Sequence, residues 1–251
     1  MLVKRKVDIC FTPALMNLFD LSNKKIVIID VFRATSAICV FLNNGGDKVI
    51  PVASIDEALE YKNMSPKSFN NYIVAAERNG KIAPGFDLGN SPLLYKNKKF
   101  KDKSLVITTT NGTMAIEKAK PKNKGMILAS FLNVSSVVSY ILNSDDSDVL
   151  IVCSGWKGRM CIEDTILAGL ISKKLCFDHV FETDSDSILI AQNLYEKASV
   201  NLLQFLSHSS YMKRLNLVED VKYCLKKDIM KTIPIWREDR NSLKSYFTSH
   251  I

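Results

Sequence analysis

Residues 25–35 read Lys25-Ile26-Val27-Ile28-Ile29-Asp30-Val31-Phe32-Arg33-Ala34-Thr35, and this stretch decides the fold. An unbroken β-branched run suits a strand buried on both faces. Asp30 ends it, and residues 35–42 are apolar and read as a helix. The same grammar recurs three times. Tyr72-Ile73-Val74-Ala75-Ala76 runs into Glu77-Arg78-Asn79-Gly80, and Leu105-Val106-Ile107 into Thr108-Thr109-Thr110-Asn111-Gly112-Thr113. Val149-Leu150-Ile151-Val152 runs into Cys153-Ser154-Gly155, with Glu163-Asp164 soon after. Parallel strands need helical crossovers, and these cover both faces of the sheet. The expected fold is therefore α/β: a three-layer α/β/α arrangement with a largely parallel or mixed sheet. In such open sheets ligands bind beyond the carboxyl ends of the strands. Carboxylates, an Arg, hydroxyls and an Asn-Gly turn are thus expected on one rim, the equipment for a metal and a polyanionic ester.

Working outward, Gly45-Gly46 ends the first helix and residues 48–52 read as a strand. Ser54-Ile55-Asp56-Glu57 is a capping box opening a helix over 57–62. Residues 63–71 form a polar loop, and 80–92 a long ordered loop without periodicity. Helices are expected over 113–120, 134–142 (with Asn133 as cap) and 165–175, and a strand over 126–130. Residues 185–210 are mostly helical, and a shorter helix starts near Val218. Ile233-Pro234-Ile235 reads as an edge strand, where Pro is tolerated. With no Pro/Gly-rich or low-complexity linker before about residue 180, residues 1–251 are expected to form one domain. The similar Asp30 and Asn111 strand–turn–helix units suggest an internal duplication.

Composition sets the class. Hydrophobic residues make up 47% of 251, enough for a substantial core. No apolar stretch approaches a membrane span. The basic start, 1–6, is followed by Asp8, Thr12, Pro13, Asn17 and Asp20, which interrupt any export signal. Six cysteines form no CxxC pair, so reduced thiols and a cytoplasmic location are expected. The net charge of +8 comes mostly from scattered Lys without aromatic interleaving. That reads as a solvated surface rather than a nucleic-acid face.

Each polar cluster has a structural and a chemical reading. Asp30 caps a helix well or binds a metal. Haloacid-dehalogenase phosphatases need a second Asp two residues on, where Phe32 stands. Glu77-Arg78 at a buried strand's end is costly unless paired or bound to something. Ser91-Pro92 can simply start a helix. The Thr-rich Asn111-Gly112 turn offers free amides and hydroxyls to an anion. Cys153 and Arg159 are separated by five residues, the spacing of Cys-dependent phosphatases. Met160 stands where those enzymes carry a hydroxyl residue. Glu163-Asp164 opens a helix, where carboxylates are favoured by the dipole, and can hold Mg²⁺ with Asp30.

Five segments resemble the 2-phosphosulfolactate phosphatase (ComB-like) family: IDVFRATSA (29–37), AERNGKIAPGFDLGNSP (76–92), TTTNGT (108–113), SFLN (130–133) and CSGWKGRMCIEDTILAG (153–169). Phe32 replaces a usual Leu, and Ala75-Ala76 the usual glycines. The resemblance implies a Mg²⁺-dependent acid phosphatase, a phosphoric monoester hydrolase acting on phosphorylated 2-hydroxy acids. The named substrate is 2-phospho-3-sulfolactate, on the route to coenzyme M. Carried onto this chain, the resemblance implies Asp30, Arg33, Glu77, Arg78 and Arg159 as catalytic. It implies Asp87, Asn90, Ser91, Thr110, Asn111 and Gly112 as substrate-binding, and Asp30, Glu163 and Asp164 as the metal set. The expected partner is a small anionic phosphate ester, with no nucleic acid and no membrane; a homodimer is an assembly to test. The competing readings are a Cys153-dependent phosphatase and a non-enzymatic anion- or nucleic-acid-binding protein.

Overall fold

A computed structural model describes residues 4–64, 71–109, 111–120, 123–177 and 179–247, without the side chains of Met64 and Phe247. Thr110 and most of the expected loop 63–71 lie outside the described residues. Strands run β1 (Arg5–Cys10), β2 (Lys24–Ile29), β3 (Lys48–Pro51), β4 (Tyr72–Arg78), β5 (Lys81–Ile82), β6 (Ser104–Thr108), β7 (Met126–Ala129), β8 (Asp148–Cys153), β9 (Phe181–Glu182), β10 (Thr232–Arg237) and β11 (Ser242–Phe247). Helices are α1 (Ala34–Asn43), α2 (Ile55–Met64), α3 (Gly112–Ala119), α4 (Val134–Leu142), α5 (Ile162–Cys176), α6 (Asp186–Ser199), α7 (Leu202–Leu206), α8 (Ser210–Leu215) and α9 (Val218–Cys224).

The alternation of β2 shows why the fold has three layers. Val27 and Ile29 join the core with Val137, Ile141, Ile166 and Leu170 of α4 and α5. Ile26 and Ile28 join the opposite core with Ile38, Phe41, Ala115 and Ile116 of α1 and α3. All four β2 residues are fully buried. Each contributes about 1.5–3 kcal/mol from burial, so both faces need apolar side chains.

One sheet has the order β5-β4-β6-β3-β11-β10-β7-β2-β8-β1-β9. It holds two parallel runs, β4-β6-β3 and β7-β2-β8-β1-β9. Between them lies the antiparallel hairpin β10–β11. The hairpin meets each run through one bridged pair, Ile235–Ile127 and Leu243–Val49, both antiparallel. Followed strand by strand, these senses set the two runs antiparallel to each other. Their carboxyl ends nonetheless meet: Arg33 after β2 pairs with Glu77 of β4, and Lys157 after β8 bonds Asn111 after β6. The sheet therefore coils strongly through the hairpin.

Two local expectations change. The Pro234 strand is interior, not an edge. Its pairing to β7 is limited to the Ile235 bridge, which leaves room in that ladder for a residue without an N–H. Asn133 does not cap α4 with its side chain. It is fully buried and satisfies both ends of its carboxamide elsewhere. Its Oδ1 accepts from the Ser130 amide (2.9 Å), and its Nδ2 donates to the Thr232 carbonyl (2.9 Å). Arg5–Cys10, which begins within the basic start, forms β1, paired with β8. Arg5 is sheltered there, donating to the Ser147 and Ile141 carbonyls. All six cysteines are free. Among the described residues no helix is long and apolar enough to cross a membrane.

Candidate active site

The carboxyl ends of β2, β4, β6 and β8 surround a cleft of about 270 Å³. Asp30, Arg33, Glu77, Arg78, Asn90, Asn111, Glu163 and Asp164 all line it. Trp156, Lys157, Tyr211 and Arg214 are among the other residues that line it.

Asp30 sits one residue past β2. Its Oδ1 accepts from the Ala34 amide at the start of α1 (3.3 Å). Gly112, the first residue of α3, lies so near that a Cβ there would approach Asp30 Oδ2 to 2.8 Å. The Asn-Gly turn is needed for this close approach rather than for a special backbone angle. Glu163 and Asp164, both 3% exposed, lie in the first turn of α5. These neighbours differ. Asp164 accepts from the Val31 amide on Oδ1 (2.8 Å) and from the Gly155 amide on Oδ2 (3.1 Å), tying the turn after β2 to the turn after β8. Glu163 Oε2 is buried without a partner among the described residues.

Burial raises all three carboxyl pKa values. Asp30 is pushed up to about 6 by burial first and Glu77 next among the raising influences, against the Ala34 amide. Glu163 is pushed up to about 7 by burial and then the Asp30 charge. Asp164 is raised further by burial, Asp30 and Glu163, despite its two amide bonds. A low-dielectric cluster of like charges either holds protons or takes up a cation.

Among the described residues, no group of three His, Cys, Asp or Glu side chains is arranged to hold a metal ion. Asp164 differs from the other two carboxylates in that each of its oxygens already accepts a backbone amide. Asp30 and Glu163 remain, one at the cleft surface and one with an orphaned oxygen. Two carboxylates fit the needs of Mg²⁺, which retains waters and takes substrate phosphate oxygens.

The cationic side also divides. Arg33 is buried, with Nη2 3.0 Å from Glu77 Oε2 and Nη1 3.4 Å from Asp220 Oδ1. Burial alone would lower its pKa, but Tyr211, Asp220 and Glu77 outweigh that and the net shift is upward. Glu77 is fixed further by the Gly80 amide (2.9 Å). This ion pair joins the two runs of the sheet. The exposed Arg78 donates to the Glu77 carbonyl (2.9 Å).

In the Thr-rich turn, the Thr109 hydroxyl accepts from the Thr113 amide (3.0 Å), spending one of the amides expected to face an anion. Asn111 Oδ1 accepts from the Lys157 amide (3.0 Å). Asn90 is buried, lines the cleft and has no partner for Oδ1 among the described residues.

Several expected residues stand elsewhere. Asp87 is exposed, pairs with Lys62 (2.8 Å) and accepts from the Val74 amide (3.0 Å), so it braces β4. Ser91 precedes a 3₁₀ turn, Pro92–Leu94, and does not line the cleft. Arg159 is exposed and also outside it. Its main chain matters instead: Trp156 and Arg159 exchange amide–carbonyl bonds of 2.8 and 3.0 Å. Gly155 has φ +60°, and a Cβ there would strike the Arg159 carbonyl oxygen at 2.2 Å. Cys153 is fully buried and does not line the cleft. Burial first, then Asp164, Cys10 and Glu163, raise its thiol pKa well above the ordinary value, the reverse of what a nucleophilic thiolate needs. The geometry gives the Cys-dependent reading no support.

Tyr211, Arg214 and Asp220 carry no local sequence signal. They come from short helices 180 or so residues along the chain from Asp30, and only tertiary packing brings them in.

A cleft of carboxylates and arginines at converging strand ends defines an α/β enzyme for a small anionic substrate. The family model for 2-phosphosulpholactate phosphatase matches residues 10–239. A probable 2-phosphosulfolactate phosphatase of Thermotoga maritima is 41% identical over 83% of this chain and 87% of its own length. One from Caldanaerobacter subterraneus is 39% identical over 86% and 88%. One from Clostridium beijerinckii is 36% identical over 94% of this chain and 98% of its own. The chain belongs to the 2-phosphosulfolactate phosphatase family and, with it, to the phosphoric monoester hydrolases.

Proposed function

We propose that the protein is a Mg²⁺-dependent phosphatase that hydrolyses 2-phospho-3-sulfolactate, or a close phosphorylated 2-hydroxy acid, to the free hydroxy acid and inorganic phosphate. The observation that carries this reading is the orphaned Glu163 Oε2, buried beside Asp30 where α1, α3 and α5 begin. Three helix N-termini favour an anion, while two carboxylates favour a cation; a metal phosphate complex satisfies both. Asp30 and Glu163 would hold Mg²⁺, which when bound neutralises charge on the phosphate oxygens. Asp164 keeps the turns after β2 and β8 in register. Arg33, neutralised by two carboxylates, positions Glu77 rather than clamping substrate. Asn90, Asn111 and Arg78 remain to orient the ester. The names of the relatives support the substrate, and the shared family supports phosphate-ester hydrolysis.

The test is phosphate release from 2-phosphosulfolactate by the protein dialysed against EDTA, then supplied with Mg²⁺. Turnover should vanish with chelation and return with the metal. Full turnover in EDTA would remove the metal from the reading; no phosphate release from any phosphorylated 2-hydroxy acid would remove the substrate class.

A further inference from the structure

We propose that Arg214, stacked on Trp156 and close to the Tyr211 ring, receives the second anionic group of the substrate, the sulfonate or carboxylate that is not the phosphate. This rests on the phosphatase reading above and names the residue that makes the enzyme selective.

Four cations line the cleft, Arg33, Arg78, Lys157 and Arg214, and geometry separates them: Arg78 donates to the Glu77 carbonyl, and Lys157 offers a point charge without a fork. Arg33 already faces two carboxylates, Glu77 and Asp220. Arg159 does not line the cleft. Arg214 does, and it takes part in none of the ion pairs among the described residues. Its guanidinium carbon lies 3.8 Å from the Trp156 ring centre and 5.9 Å from that of Tyr211. An aromatic face holds a guanidinium while leaving its edge donors available for a forked bond to an oxyanion.

The platform beneath it is firm. Trp156 is held by the paired bonds to Arg159, and Gly155 admits no side chain against that turn. Phe32 packs against Tyr211 with ring centres 5.0 Å apart. Tyr211 is 4% exposed, yet its hydroxyl has no hydrogen-bond partner among the described residues. Tyr211 lines the polar cleft, and a buried, unsatisfied donor there calls for an acceptor from the ligand. Burial raises the Tyr211 pKa, so the hydroxyl keeps its proton and donates.

Position agrees with the chemistry. The Arg214 charge acts on Glu163 and on Cys161, so it lies within reach of the carboxylate wall. A phosphorylated 2-hydroxy acid carries its further anions one or two carbons from the ester oxygen. Phosphate at Asp30 and Glu163 would therefore leave the second anion at Arg214.

The experiment compares wild type, R214Q, R214K and Y211F. The first readout is the ratio of kcat/KM for 2-phosphosulfolactate to that for an uncharged alkyl phosphate, with phospholactate separating carboxylate from sulfonate. The second is the Kd of phosphate-free 3-sulfolactate by calorimetry in Mg²⁺. In R214Q the ratio should fall on the order of ten- to a hundredfold, the effect of losing a charged hydrogen bond. R214K should fall between the two because it keeps charge without the fork, and Y211F should lose a smaller factor. A ratio unchanged in R214Q, or both substrates losing equally, would overturn the assignment. So would a wild type without preference for the second anion. Should wild type release no phosphate at all, the phosphatase reading falls separately, and the Kd still decides: equal 3-sulfolactate binding by wild type and R214Q overturns the role of Arg214, and weaker binding by R214Q upholds it.

Discussion

The two walls of the cleft are made differently. On the carboxylate wall, Asp30 and Asp164 are anchored by backbone amides at the ends of β2 and β8 and the start of α1, while Glu163 is buried beside them. The cationic wall has one buried member, Arg33, which is already neutralised, while Arg78 and Arg214 are exposed on a strand end and a six-residue helix. The sheet thus fixes the groups that must keep position to within a fraction of an ångström. The less constrained periphery supplies the charges that choose among substrates, where exposed groups are screened by salt and easily replaced.

The sharpest way to break this contrast is Asp30→Asn. Turnover should fall on the order of a thousandfold with thermal unfolding little changed, since a neutral amide holds a cation far more weakly than a carboxylate does. Retained phosphate release would move the chemistry off this wall.

Next come the adjacent residues Glu163 and Asp164. Glu163→Gln should lose about a hundredfold in turnover, on the scale of losing one charged interaction. Its Tm should hold or rise, because a buried charge is removed. Asp164→Asn should instead cost about 1–3 kcal/mol of stability, since an NH₂ would face an amide donor. For a chain of this length that lowers Tm by about 2–4 °C per kcal/mol. The opposite pattern would exchange the roles given to these two side chains.

A third, smaller effect is pH dependence. In the metal-free protein Asp30 is raised to about 6 and Glu163 to about 7. Unfolded carboxylates titrate near about 4, so the folded state holds these protons longer. Stability should fall as pH rises from about 4 to about 7, because the native state then binds more protons than the unfolded one. Mg²⁺ takes the place of those protons, so its gain in Tm should be larger at pH 8 than at pH 5. Equal gains in thermal melts at both pH values would place the cation elsewhere.

The smallest expected change is Cys153→Ser. The folded protein should keep turnover within about threefold, since a buried, protonated thiol is not the nucleophile. A folded but inactive variant would reopen the Cys–Arg reading and undo the division between the walls.

How much was legible depended on how local the signal was. The β2 and α1 segment, the Glu77 strand end and the Asn-Gly turn are each short apolar runs stopped by polar residues, and each reaches the cleft. Arg159 misled because spacing along the chain says nothing about which way a turn faces; its carbonyl, not its guanidinium, is used. Asp87 shares a motif with Asn90, yet one points to Lys62 and the other to the cleft. Ile233-Pro234-Ile235 looked peripheral because a Pro-containing strand suits an edge, whereas it belongs to the hairpin between the runs.

By itself the sequence determined the layers, the strands that end at the cleft, the carboxylates gathered there and the family. Those follow from periodicity and from contiguous residues, which local physics constrains. Only the tertiary structure decided that the two parallel runs meet through a coiled hairpin. It also separated Asp164, held by two amides, from Glu163, left with an orphaned oxygen. It brought Arg214 and Tyr211 opposite them, because contacts between residues far apart in the chain are set by packing, and no local pattern encodes them.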